Sequence, residues 1–246
     1  MIVALLTLIA AMLTGGHRSP FVFPDLQKRV RKYVKEPDRK KPVLEILKTQ
    51  VAARKRLDKR IKQYKTMLRQ LAGDRETTRE ELTAVFQGLL ADYRQTQTQF
   101  IDARLAVVGI LTAEEFEQCI DRDHGPSDKA WREISKALDT HLVKLKASAK
   151  AIEDPASRKR VLAAIEAFVQ DLGELLHALA ERNYHDEEVL ASYHATREAL
   201  IASQESINVQ RKGLYSAFID LHQVLATATT DRQWKAAARE LKALAK

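Results

Sequence analysis

The residues best suited to metal or proton chemistry are seven histidines, His17, His124, His141, His177, His185, His194 and His222. No two stand three or four residues apart, so no helix face presents a ligand pair and no HExxH-type spacing exists. No metal site and no cofactor are expected. Cys119 is the single cysteine, which excludes an intrachain disulfide and a cysteine-based zinc site and reads as a small core residue. Glu114 and Glu115 are adjacent carboxylates, but they follow Thr112 into a helix, where first-turn acids favour the helix dipole. The chain shows no Ser/His/Asp arrangement, glycine-rich phosphate loop or nucleotide motif, and it is read as a non-enzyme.

The chemistry that remains is charge. Arg54, Lys55, Arg56, Lys59, Arg60, Lys62 and Lys65 stand within one stretch against a single acid, Asp58. Lys55 with Lys59 and Arg56 with Arg60 are like-charge pairs at i, i+4, each costing a few tenths of a kcal/mol on a helix. Repetition of that cost predicts a compensating anion, either internal or supplied by a partner. Residues 25–75 hold 18 Lys/Arg and 6 Asp/Glu, a local +12 in a chain of net +8, so the remainder sums to −4. Acidic or unfolded protein chains and an anionic membrane surface suit this arm. Nucleic acid is not expected, because no aromatics interleave with the cations and no recognition motif is matched.

The arm must sit on a long helix. Val43, Leu47, Leu57, Ile61, Tyr64, Leu68 and Leu71 recur on a 3–4 alternation, as do Leu82, Phe86, Leu89, Tyr93, Phe100, Val107 and Ile110. Each set is the apolar seam of a coiled coil. Ala72-Gly73-Asp74-Arg75-Glu76-Thr77 separates them, with Gly73 as the predicted helix end. Thr77 or Thr78 is the next cap, with Glu80 or Glu81 completing a capping box. Residues 43–111 therefore form an antiparallel helical hairpin. Gln50, Arg54 and Thr96 fall on the seam as register-setting polar breaks; a seam left partly open, lining a groove, is the other reading of them.

Around this hairpin the sequence predicts an all-α chain without strands. Residues 2–14 are an uncharged apolar run, too short to span a bilayer and of the length of an export-signal core. Thr14 and Gly16 are small residues at −3 and −1 for cleavage before His17, although no Lys or Arg precedes the run. Residues 1–16 are read as a signal peptide, with an uncleaved anchor or a buried helix as the alternatives; export would place the chain in the periplasm or outside the cell. A basic helix capped by Asp25 follows, and Pro42 is placed in the first turn of the long helix. A short helix starts after Thr112, and Asp123–Ser127 is a linker. Further helices are predicted at about 128–153, 156–182, 187–226 and 231–245, with Asn183–Asp186 as the turn of a second hairpin, 161–226. Its stripes are Val161, Ile165, Phe168, Leu172, Leu175 and Leu179, then Tyr193, Leu200, Ile207, Leu214 and Leu221.

The two sets align at an offset of 118 residues. Pro37 falls on Pro155, Thr78-Arg79-Glu80 on Thr196-Arg197-Glu198, Asp102 on Asp220, Thr112 on Thr230 and Phe116 on Trp234. Heptad periodicity does not align residues off the seam, so the sequence predicts two tandem four-helix copies, 17–123 and 124–246.

Leu111-Thr112-Ala113-Glu114-Glu115 resembles the LTxxQ signature of the Spy/CpxP-like periplasmic proteins, with Glu115 where that family has Gln. Thr229-Thr230-Asp231-Arg232-Gln233-Trp234 keeps the Thr and the Gln and loses the Leu. The resemblance implies a structural motif at Leu111, Thr112, Glu115, Thr230, Gln233 and Trp234, capping a helix at a bend. It also implies a periplasmic helical binding protein, acting as an ATP-independent chaperone or envelope-stress accessory. Family members dimerise into a curved cradle; a homodimer, or two copies within one chain, would serve here. The competing expectations are a structural coiled-coil scaffold of the cell envelope and a metal-responsive sensor accessory.

Overall fold

The computed structural model describes residues 24–120 and 128–244, with side chains at 24–25, 128–138, 176–188 and 190 excepted. The expected export segment 1–16, the linker that follows it and the Asp123–Ser127 linker lie outside the described residues. All eight described elements are α-helices: α1 (Pro24–Tyr33), α2 (Pro37–Leu71), α3 (Arg79–Val108), α4 (Ala113–Cys119), α5 (Asp128–Lys150), α6 (Pro155–Ala191), α7 (Arg197–Ala228) and α8 (Asp231–Leu244). No strand occurs among the described residues.

Local chemistry sets the boundaries. Pro37 and Pro155 open α2 and α6, where a missing N–H costs nothing and the fixed φ suits a helix. Thr78 and Thr112 form capping boxes with Glu81 and Glu115. Thr196 caps α7, accepting from the Ala199 N–H at 3.2 Å. Gln233 reaches back to the Thr230 N–H at 2.9 Å, with Thr230 Oγ 3.5 Å from the Gln233 N–H. Three helix starts recur at one offset: α6, α7 and α8 begin 118 residues after α2, α3 and α4.

Four local expectations are corrected. Residues 183–186 are no turn; α6 runs on to Ala191, and 192–196 make the connection. Asn, His and Asp are only modest helix formers, but without Gly or Pro their cost is too small to break a long helix. Pro42 lies inside α2 rather than in its opening turn, which Pro37 occupies. The backbone at Gly73 is not left-handed; Ala72 ends α2 in a right-handed conformation. Helix α1 begins at Pro24, one residue before its expected cap Asp25.

Helices α2 and α3 run antiparallel, with Arg60 reaching Asp92 and Tyr64 opposing Gly88. The seam residues Val43, Leu47, Leu57, Ile61, Tyr64 and Leu68 are buried against Leu82, Phe86, Leu89, Tyr93 and Val107, while Phe100 and Ile110 stay partly exposed. Helix α3 also packs antiparallel on α7 through the centre of the molecule. Phe86 stacks on Tyr215 at 4.3 Å between ring centroids and meets Phe218 edge-on at 5.8 Å. These aromatics belong to the larger core, shared by α2, α3 and α5–α8. A smaller core, with Leu26, Val30, Val43, Leu111, Phe116 and Cys119, closes the opposite end.

Candidate functional site

The basic arm lies on α2 and divides in two. Arg54 donates to Asp58 at 2.9 Å, four residues along its own helix. Arg60 donates to Asp92 at 2.8 Å and to the Tyr64 hydroxyl at 2.8 Å, with its guanidinium carbon 5.1 Å from the Tyr64 ring centre. The Asp92 hydrogen bond is the main cause that raises the Arg60 pKa. Lys65 is half-buried, and burial, helped by Lys62, lowers its pKa. Lys55, Arg56, Lys59 and Lys62 are exposed and have no acidic partner among the described residues. Lys55, Lys59 and Lys62 follow the i, i+4, i+7 spacing of one helix stripe.

The bend residues are structural. Leu111 is buried, and Thr112 caps α4. Glu115 completes that cap and also takes both arms of Arg39, at 3.1 and 3.0 Å, tying α4 to the start of α2. The Arg39 hydrogen bond is the largest influence holding the Glu115 carboxyl below its ordinary value. Gln233 does the neutral equivalent, donating to the Ala151 carbonyl at 3.4 Å. Trp234 is buried with its ring 5.3 Å from His222, edge to face.

Contacts between the two halves are reciprocal at the same 118-residue offset. Arg79 pairs with Asp220, and Arg197 with Asp102. Arg75 donates to the Ala226 carbonyl at 2.9 Å and to that of Thr229; Tyr193, which stands 118 residues after Arg75, donates its hydroxyl to the matching carbonyls of Val108 and Leu111 at 3.3 and 3.0 Å. Arg104 donates to Ser192 O and, at 3.5 Å, to Ala195 O in the α6–α7 connection. His222, its counterpart, stands with Nε2 3.2 Å from Asp74 O in the α2–α3 turn. Arg211 lies over the Tyr93 ring at 4.9 Å, and these two positions are also 118 apart. Tyr93 and Arg211 thus face each other within this set of paired contacts.

Sequence patterning gave no sign of Arg104, Arg211 and His222 as buried residues. Burial lowers Arg104 and Arg211 to about 10 and depresses His222, while it pushes the Tyr215 hydroxyl up to about 12. Applying the offset to residues away from the seam was the signal that could have found the pairs. Of the predicted polar breaks, Gln50 and Thr96 are buried on the seam, and Arg54 turns to Asp58. Cys119 is buried and its thiol raised to about 11, which keeps it protonated.

Among the described residues no group of three or more His, Cys, Asp or Glu converges as a metal site, and no helix is long and apolar enough to cross a membrane. Compared with known proteins, the chain matches no family model, no curated protein and no solved structure. What the geometry offers is an exposed cationic stripe on an all-helical frame, which attracts anions.

Proposed function

We propose that this protein is a non-enzymatic helical binding protein of the cell envelope, which captures acidic or partly unfolded protein chains by charge. One observation carries the reading: Lys55, Arg56, Lys59 and Lys62 face outward with no acidic partner among the described residues. Electrostatic steering by such a stripe speeds encounter. Contact afterwards is weak, because the large exposed apolar side chains among the described residues, Met67, Val143, Ile201 and Val209, are few. Periplasmic location follows from reading residues 2–14 as an export signal. The Spy/CpxP-like resemblance supports an ATP-independent chaperone or envelope-stress accessory role.

Within this reading the chain is two fused copies of one four-helix unit. The reciprocal contacts then stand where a homodimer interface would, and a single chain supplies both sides of the frame.

The test is aggregation suppression of a reduced acidic client. Charge reversal at Lys55, Lys59 and Lys62 should weaken suppression at unchanged helicity. Suppression should also fade as salt rises above about 0.15 M, where the Debye length is about 8 Å. Activity indifferent to both changes would leave a clientless envelope scaffold as the better reading, which the internal pairing of Arg54 and Arg60 already favours in part.

A further inference from the structure

A second cationic feature lies apart from the arm. Where the end of α2 meets α5 and α8 the surface forms a cleft of about 730 Å³. Arg69 stands on one wall, Lys144 on a second, and Lys235, Arg239 and Lys242 on the third. Arg69 is about 10 Å further along α2 than Lys62, at 1.5 Å per residue. The one carboxylate in the lining is Glu240, which is buried and already engaged: His141 Nδ1 lies 2.9 Å from it, and Arg239 donates to it at 3.1 Å. Arg69, Lys144, Lys235 and Lys242 have no acidic partner among the described residues. Like charges brought together around a concave surface raise one another's energy, and an anion in the cleft relieves that.

The cleft is shaped for this set. Lys242 lies across Gly73, where a Cβ would stand 1.6 Å from its Cε, so a side chain there would push the flexible end of the lysine aside. The cluster is no by-product of the repeated pattern either. At the positions 118 residues away from Lys144, Lys235 and Arg69 the chain carries Leu26, Glu117 and Glu187. An extended acidic peptide suits cations in a line, as at Lys55–Lys62. Five cations from three helices, four of them without an acidic partner among the described residues, suit a compact multivalent anion, and the fork of Arg69 matches phosphate oxygens in pairs.

We propose that this cleft binds a compact anion carrying two or more phosphate-type groups. It goes beyond the arm's reading and does not depend on it. Trp234 lines the cleft and reports on it directly. In a Trp131→Phe background Trp234 is the sole tryptophan, and its emission should change saturably on titration with inorganic tripolyphosphate. Lys235→Glu with Lys242→Glu should weaken binding at least about tenfold, as expected for losing a charge-assisted contact. Gly73→Ala, which crowds Lys242 without altering charge, should weaken it about two- to threefold. Charge reversal at Lys55, Lys59 and Lys62 should leave the titration unchanged, which separates failure here from failure of the arm. Vesicles bearing a multiply phosphorylated headgroup, titrated in parallel, identify the source: tighter response to vesicles assigns a lipid headgroup, tighter response to tripolyphosphate a soluble anion. The proposal is overturned if Trp234 gives no response at millimolar tripolyphosphate. It is equally overturned by unchanged affinity in the folded Lys235/Lys242 variant, or by an oligoglutamate peptide binding as tightly.

Discussion

Arg104 is the residue whose removal tests the frame most sharply. It is fully buried, donates to the Ser192 and Ala195 carbonyls and lies over the Phe116 ring at 5.5 Å. Burial lowers its pKa from 12.5 to about 10, which corresponds to about 3 kcal/mol of desolvation opposing the fold. Against this stand one strong charge-assisted hydrogen bond, about 1.5–3 kcal/mol, a longer second one and a desolvated cation–π contact of about 2 kcal/mol. These contacts offset that cost. Truncation is a different matter, because it takes the charged donor from the Ser192 carbonyl, leaving only the Ala195 N–H at 3.1 Å, and it leaves a cavity. Arg104→Ala should cost about 2–4 kcal/mol, lowering the urea midpoint by about 1 M at a slope of roughly 3 kcal/mol per molar. Arg104→Met keeps the volume and removes only the polar contacts, so its cost should be smaller. Equilibrium urea unfolding followed by circular dichroism measures both. An Arg104→Ala midpoint within about 0.2 M of wild type would show that the carbonyls find other partners and would refute the pinning of α3 to the α6–α7 connection.

Phe86→Ala should cost about 3–5 kcal/mol in the same assay, since it empties the centre of the α3–α7 packing beside Tyr215 and Phe218. Thr112→Ala removes the cap of α4 and should cost about 1 kcal/mol; no loss would mean that water replaces the hydroxyl. The Glu115 carboxyl is depressed in the fold, so its stabilisation is complete above the unfolded value of about 4.3 and disappears as pH falls through the lower folded value; Arg39→Ala should flatten that acid limb of urea midpoint against pH. His222 is also depressed, by burial, so it favours the neutral form. Its contribution is full above about pH 6.5 and declines as pH falls below that, a slope that His222→Gln should remove.

Much of the fold was legible because it depends on repeating local rules. The 3–4 spacing from Val43 to Val107 marked the seam, and Thr78 and Thr112, each with an acid three residues on, marked two helix starts. Polarity alone suggests a turn at 183–186, but polar residues without Gly or Pro do not end a helix. The offset from Ala72–Thr77 points instead to 190–195, which overlaps the connection at 192–196. The charge of the basic arm was plain, but its division was not, since Asp92 comes to Arg60 from another helix. Arg104 and Arg211 escaped notice for a related reason. Their partners include backbone carbonyls and aromatic rings on distant segments and, for Arg211, the Asn208 amide oxygen three residues back on its own helix, and none of these shows in a charge or hydropathy pattern.

The meeting of Tyr93 with Arg211 carries a consequence of its own. On the axis of an ordinary homodimer each side chain faces its own copy, so an arginine there would oppose an arginine and a tyrosine a tyrosine. A ring beneath a guanidinium is available only where the two facing positions can mutate separately. A continuous chain permits that, and it also keeps the two faces at a fixed high effective concentration. Within the two-copy reading proposed above, dilution, which dissolves a weak dimer, has no hold on this interface, and each half is free to specialise, as the cations of α8 differ from the residues of α4.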